Sequence, residues 1–467
     1  MFRLYALIGL AFYFIILILL VTKRERNSTI EEYFFAGRSL SPLTLAITFV
    51  ASWWGAGAAL STADYAFNEG LGAFLYFGAP VLISTFILIL LSTIIRGLPE
   101  LTQGKMMERR YSLRAAKMHS WLILFYMIFN AASQMVGIGN FLSPYLDISY
   151  EFAVILGTSI VLIYSFFGGF RAVVMTDIFQ FLLLGISVFV VFFVAWKKAG
   201  GYQGIILHLT PEEKTQMLDI RGGFEKYFVY IFTFGLSWSI QANIWQRVSA
   251  ARNIKDARKM TILSFFLFGP LYLIVVLTGM AGFQIFPQLP KEGVVVAIIK
   301  NMLHPFMGSM VFVGIAAAIM STMDSLLNTA ALTVAYDLRK PAKNPEQQMK
   351  ISRYSTLFVT ICSLLIAMRF QSFLKVAWLA SDLITTGAFV PLILGIFWKK
   401  GNNQGAIASM IWGFVYCGYN LLLQLGLSLP HFWELESALE VLLGMGVSLF
   451  LYLICSLLPQ IRQNPKE

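Results

Sequence analysis

Within the apolar stretch Gly314 to Asn328, the sequence sets Ala318, Ser321, Thr322 and Ser325 at i, i+3, i+4 and i+7, one face of a helix. Two adjacent hydroxyls with backbone carbonyls beside them are the oxygen ligands that a hard monovalent cation takes. Asp324 adds a carboxylate to the same helix, and a second carboxylate, Asp177, stands six residues after Arg171 in another apolar run. Each has a plainer reading. Ser and Thr in membrane helices bond back to the carbonyl four residues earlier, and Asp177 could form an ion pair with Arg171 at the membrane edge. Asp382 is a weaker candidate of the same kind. Two further apolar segments interrupt themselves with small and polar residues: Leu43 to Asp64, around Ala51 to Gly57, and Gly235 to Arg247, crowded with amides and hydroxyls. Unwound turns at matching places in two halves of a transporter free carbonyls for a cation and a helix N-terminus for an anionic group. Glycine and serine also serve close helix packing.

The elements that must position these residues are membrane helices. Of 467 residues, 58% are hydrophobic and 13% charged, against about 25% charged in soluble domains. Mean hydropathy is +0.73. Such a chain is neither disordered nor an ordinary cytosolic enzyme, and its long apolar runs read as helices, not barrel strands. Thirteen spans are predicted: 4–22, 43–66, 71–96, 121–145, 152–169, 172–196, 227–246, 260–285, 303–336, 351–368, 374–398, 404–426 and 436–458. The first reads as a retained span and not a signal peptide. The longest loops are expected at 97–120 and 197–226. With the N-terminus outside, 25 of the 35 basic residues fall on inner loops. Among these are Lys23, Arg24, Arg26, Arg38, Arg96, Arg110, Arg171, Arg247, Arg252, Lys343, Arg462 and Lys466. The positive-inside rule then predicts N-out and C-in, and the net charge of +11 reflects these loops, not nucleic-acid binding. Cys362, Cys417 and Cys455 read as small apolar residues, and His119, His208, His304 and His431 form no metal pattern. No hydrolase or zinc-enzyme arrangement is present, so no catalytic residue and no organic cofactor are expected.

At these residues the chain resembles the sodium:solute symporter family, from about residue 30 to 425. The resemblance is carried in order by Glu32–Arg38 (EYFFAGR), Gly168–Gln180 (GGFRAVVMTDIFQ), Gln246-Arg247 with Ala250–Lys259 (AARNIKDARK), and Ala316–Ser325 (AAAIMSTMDS). It implies an all-α integral membrane protein of the leucine-transporter fold. Two inverted five-helix repeats, 43–196 and 227–398, would follow one extra helix at 4–22 and precede two at 404–458, in a single transport domain spanning 1–467. The family's main sodium site maps to Ala51, Trp54, Ala318, Ser321 and Thr322. A second sodium in some members maps to Asp177, Ser321, Asp324 and Ser325. Solute contacts would be Ser52, Trp53, Gly57, Asn130, Gln134, Trp238 and Gln241. The text around Trp53, Asp324 and Ala380–Leu383 is most similar to the choline-transporting branch, although Asn130 stands where a cage tryptophan aligns. Proline-transporting members align an aspartate with Trp53.

The resemblance implies sodium-coupled symport of a small polar organic solute across the cytoplasmic membrane, by alternating access. Sodium would be the coupling ion, and the partners are the bilayer and a solute such as an amino acid, a betaine or choline-like cation, a carboxylate, a sugar or a vitamin. Proton coupling through Asp177 or Asp324 is the near alternative. A transporter-like solute sensor is the other, and would be expected to carry a cytoplasmic output domain.

Overall fold

The computed structural model describes residues 2–21, 29–167, 169–207, 209–340, 342, 344–430 and 437–458. Thr22, Gly168, His208, His431 and the basic residues Lys23, Arg24, Arg26, Lys343, Arg462 and Lys466 lie outside them. The described chain is nearly all helix. Its first part runs through α1 (Phe2–Val21), α2 (Ile30–Phe35), α3 (Pro42–Trp53), α4 (Thr62–Glu69), α5 (Ala79–Gly97), α6 (Gln103–Arg110), α7 (Leu113–Leu146), α8 (Tyr150–Phe167) and α9 (Phe170–Lys198). Then come α10 (Pro211–Leu218), α11 (Ile220–Ser237), α12 (Ala242–Ser249), α13 (Ile254–Ile285), α14 (Val294–Met302), α15 (Pro305–Leu332) and α16 (Pro345–Arg369). The last are α17 (Phe373–Leu383), α18 (Phe389–Phe397), α19 (Asn403–Gln424) and α20 (Ser437–Leu457). Extended pairing among the described residues is confined to an isolated bridge between Leu40 and Ala251.

Among the described residues, ten helical runs are long and apolar enough to cross a membrane, and the bent pair α3–α4 makes an eleventh. Thirteen were expected. The difference lies in two places. The span expected at 152–169 is a shorter apolar helix, α8. The span expected at 227–246 is divided: α11 ends at Ser237, a tight turn covers Trp238–Ile240, and Gln241 leaves helical geometry at φ −59, ψ 123 before α12 begins. The loop expected at 97–120 is also corrected. It holds α6, and α7 already starts at Leu113, where the Ser112 hydroxyl accepts the Ala115 N–H at 3.1 Å. Likewise α10 and the start of α11 occupy the loop expected at 197–226.

Helices α7 and α15 form the centre and are buried around most of their circumference, whereas α1 and α20 lie at the edge. Large apolar side chains such as Phe12, Phe86, Phe266, Leu365 and Phe450 point outward, as a lipid-facing surface requires. The free cysteine Cys417 is buried, and Cys362 and Cys455 are partly so.

The bend between α3 and α4 is 72° and has a local cause. Trp54 leaves the helix at φ −87, ψ 59. Gly55 then passes so close to α7 that a Cβ there would sit 2.2 Å from Gln134 Oε1. On α7 itself, a Cβ at Gly137 would lie 2.3 Å from the Ala56 Cβ. The broken turn is thus pressed into α7 with no room for side chains. Gln134 Oε1 accepts the Ala56 N–H at 3.0 Å, satisfying a donor that the break leaves without a helical partner.

Candidate ion and solute site

The last carbonyls of a helix have no partner within it. Those of α3 end beside α15. Here the Thr322 hydroxyl lies 3.3 Å from the Ala51 carbonyl oxygen and 3.4 Å from that of Ala318. One proton cannot serve both well, and both bonds are long. Three oxygens therefore converge at the break with little hydrogen bonding among them, which is the donor set a hard monovalent cation takes. Ser321, expected in the same cluster, turns instead to Asp177 and donates to its Oδ1 at 2.5 Å. Trp54 marks the break itself. Its indole is wholly buried against Tyr272, with ring centroids 4.8 Å apart.

Asp177 is held by a different arginine from the one its sequence neighbourhood suggests. Its Oδ2 lies 3.0 Å from Arg247 Nη2, and Thr48 donates to the same oxygen. Arg171 instead reaches the Ser39 hydroxyl, at 3.4 Å. The charge count put Arg247 in an inner loop; the structure corrects this, since Arg247 lies on α12 and is wholly buried. Its Nη2 also donates to Ser325 at 2.7 Å. Three of the four side chains expected to hold a second sodium are thereby gathered around a guanidinium. The fourth, Asp324, faces elsewhere: Ser165 on α8 donates to its Oδ1, and its buried Oδ2 has no partner among the described residues.

All seven residues expected to contact solute line one central cavity of about 120 Å³: Ser52, Trp53, Gly57, Asn130, Gln134, Trp238 and Gln241. Thr322 is on its wall, so the cavity adjoins the oxygen cluster. The two broken spans are tied together across it, because Trp53 Nε1 donates to Gln241 Oε1 at 2.6 Å. The sequence reading missed the aromatic side chains Phe77, Tyr230, Tyr272 and Trp378, and also missed Asn243. Aromatic residues are too common here for spacing alone to single these out. Asn243 carried a signal, since it sits within the polar run Gly235 to Arg247. None of the described lining residues is charged.

Two further cavities flank this one. The first, about 500 Å³, holds Asp64, Lys291, Glu292 and Lys300 and shares Phe373 with the central cavity. The second, about 30 Å³, lies under α12, between α6, α7 and the end of α15, and is lined by Gln103, His119, Ser249, Thr329 and Asp337. It is strapped by the Thr102 hydroxyl on Asp337 Oδ1 at 2.6 Å and by Gln103 Nε2 on the Ile240 carbonyl at 2.7 Å. On the same α6, Glu108 hydrogen-bonds Lys105 at 2.7 Å and holds its ammonium above the usual lysine range.

A helical membrane protein whose two broken spans meet at a polar, aromatic-walled cavity has the architecture of a secondary transporter. The profile of the Sodium:solute symporter family matches residues 33–413, and the chain belongs to that family. It is 28% identical over 456 residues to a sodium/pantothenate symporter of Haemophilus influenzae, covering 93% of this chain and 92% of the relative. It is 27% identical over 433 residues to an osmoregulated proline transporter of Bacillus subtilis, covering 87% of each. The fold matches that of a sodium-coupled sialic acid symporter solved in a substrate-bound outward-open state, with a TM-score of 0.77 at 19% identity over 97% of both chains. The protein is a multi-pass membrane transporter that couples sodium to the movement of a small-molecule solute.

Proposed function

We propose that sodium binds where α3 breaks, on the Ala51 and Ala318 carbonyls and the Thr322 hydroxyl, with the Trp54 carbonyl and, on turning away from Asp177, the Ser321 hydroxyl completing the shell. The observation that carries this is the convergence of those three oxygens beside the central cavity. Ion binding fixes the broken turn, and the turn shapes the wall against which solute docks. The solute is small and polar, because amide, hydroxyl and indole groups line the cavity. The relatives' names specify pantothenate, proline and sialic acid. The three solutes differ in size and charge, and none of them is carried over to this chain.

The two halves, 43–196 and 227–398, act as inverted repeats, with α1 before them and α19 and α20 after. The N-terminus is outside and the C-terminus inside. The basic loops support this: Arg96 bonds the Ala251 carbonyl at 2.6 Å and Arg252 bonds that of Ser39 at 2.8 Å, so three of them meet at one end. The cavity holding Asp64 and Lys291 is then the outer vestibule, with Phe373 at its floor, and the strapped cavity is the inner exit. An inside-negative potential adds about 2.3 kcal/mol per charge per 100 mV to inward sodium movement.

The test is uptake into vesicles driven by a sodium jump or by a pH jump. Uptake that follows sodium alone supports this reading. Uptake that follows pH alone favours proton coupling, for which Asp324 is the residue of interest, because its buried Oδ2 lacks a partner among the described residues.

A further inference from the structure

Four amide side chains line the central cavity, and three are already committed to the protein. Gln241 Oε1 accepts the Trp53 indole N–H at 2.6 Å. Gln134 Oε1 accepts the Ala56 N–H at 3.0 Å. Asn130 Nδ2 donates to the Tyr126 hydroxyl at 3.0 Å. Asn243 is different. It lines the cavity and is wholly buried, and neither its Oδ1 nor its Nδ2 has a partner among the described residues. Its backbone carbonyl accepts Arg247 Nη1 at 3.0 Å, which anchors the turn that carries it.

A buried amide with both atoms unmet is a rare and costly arrangement, and in native proteins it calls for a partner. The geometry points to Asn243 as the residue that selects the solute, by pairing with an amide edge: a carboxamide, a lactam or a ureide. The inference rests on the symporter reading and deepens it. A side-chain amide offers one donor and one acceptor side by side, and its complement is an acceptor and a donor at the same spacing. Interchanging the two amide atoms leaves the same donor–acceptor pair. A carboxylate offers two acceptors and no donor, so one of its oxygens would face Asn243 Oδ1 with no hydrogen between them. The flat indoles of Trp53, Trp238 and Trp378 on the walls suit a planar edge.

The experiment uses the full chain in nanodiscs and reads the thermal shift against concentration, in sodium and in potassium. The probes are matched pairs, nicotinamide with nicotinate and prolinamide with proline, together with 2-pyrrolidone, dihydrouracil and cis-1,2-cyclohexanediol. The expected result is sodium-dependent stabilisation by at least one amide-edge probe, with any matched carboxylate at least about tenfold weaker. Asn243→Leu should weaken that probe by about 10- to 100-fold and leave the shift produced by sodium alone in place. The retained sodium shift shows that the variant is folded; if Asn243→Leu does not fold, Asn243→Ala, which removes both amide atoms without adding bulk, must lose the amide probe. The inference is overturned if carboxylates or the diol bind as well as the amides, if no amide-edge probe binds, if Asn243→Leu binds the probe unchanged, or if it loses sodium and not solute. Amide selection that persists in potassium would keep the role of Asn243 and sink sodium coupling, so the two readings fail separately.

Discussion

Arg247 Nη2 lies 3.0 Å from Asp177 Oδ2, with both side chains wholly buried. Few arrangements in a membrane are so costly unless every polar atom is engaged. Here the engagement is dense. Arg247 also bonds the Thr48 carbonyl and hydroxyl at 3.2 Å, the Asn243 carbonyl at 3.0 Å and Ser325 at 2.7 Å. Asp177 also accepts from Ser321 and Thr48. The guanidinium lies over the Phe170 ring at 5.5 Å. One ion pair thereby joins α3, α9, α12 and α15, so both broken spans share a knot with the hydroxyl-bearing helix.

Removing one charge from this knot should be worse than removing both. Arg247→Met leaves Asp177 buried and uncompensated, and is expected to lower stability by about 3–5 kcal/mol. Asp177→Asn with Arg247→Met removes the stranded charge and should recover a large part of that loss. Thermal unfolding of the two single variants and the double variant in nanodiscs measures the coupling. Additive losses would show that the pair does not act as a unit.

The membrane class and the broken second span could be read from sequence, because each depends on local text: long apolar runs and a glycine-containing interruption with polar residues inside it; the seven expected residues that line the central cavity came through the family resemblance. What could not be read depends on direction. Ser321 and Ser325 share a face with Thr322 in any helical wheel, yet Ser321 turns to Asp177 and Ser325 to Arg247. Asp324 precedes Ser325 by one residue and so faces α8 instead. Arg247 was misjudged because a short helix after a break carries its arginine inward, whereas a span drawn as continuous to 246 puts it in a loop. The committed amides of Gln134 and Gln241 make Asn243 notable, and those bonds span 78 and 188 residues of sequence. No periodicity reports them.

Thr322→Ala removes one of three converging oxygens and leaves the fold's packing nearly intact. The oxygen is worth about 1.5–3 kcal/mol as a contact to a charged species, so half-saturation by sodium should rise about 10- to 100-fold. Protein abundance should hardly change, because the hydroxyl's bonds to Ala51 and Ala318 are long, at 3.3 and 3.4 Å. The measurement is the sodium dependence of solute uptake at matched expression. An unshifted curve would remove Thr322 from the ion site.

The bond from Trp53 to Gln241 closes the cavity wall between the two broken spans. Gln241→Leu strands the indole N–H, and Trp53→Phe strands the amide oxygen, at a cost of about 1–3 kcal/mol each. Solute affinity should fall about tenfold in either variant, and the double variant should be no worse than the poorer single. The sodium-induced thermal shift should persist in all three. Losses that add in the double variant would mean that the two side chains touch the solute independently.

The straps on the inner cavity make an opening prediction that also tests the orientation. Asp337 holds the Thr102 hydroxyl at 2.6 Å, Gln103 holds the Ile240 carbonyl at 2.7 Å, and His119 Nε2 lies 3.2 Å from Gln103 Oε1. Together they draw α6 across the route from the central cavity to this end of the molecule. Ser249 lines the cavity behind them and is nearly inaccessible. With Cys362, Cys417 and Cys455 replaced, a single cysteine at position 249 reports on the route. In inside-out vesicles, Asp337→Ala or Gln103→Leu should raise its rate of labelling by an impermeant maleimide several-fold. In right-side-out vesicles the same variants should label no faster than the parent. Faster labelling from the other face would invert the topology. Equal rates in all variants would show that these bonds do not hold the route closed, and the gate would then have to lie nearer the Gln246 to Thr329 contact, where the Thr329 hydroxyl donates to Gln246 Oε1 at 2.9 Å.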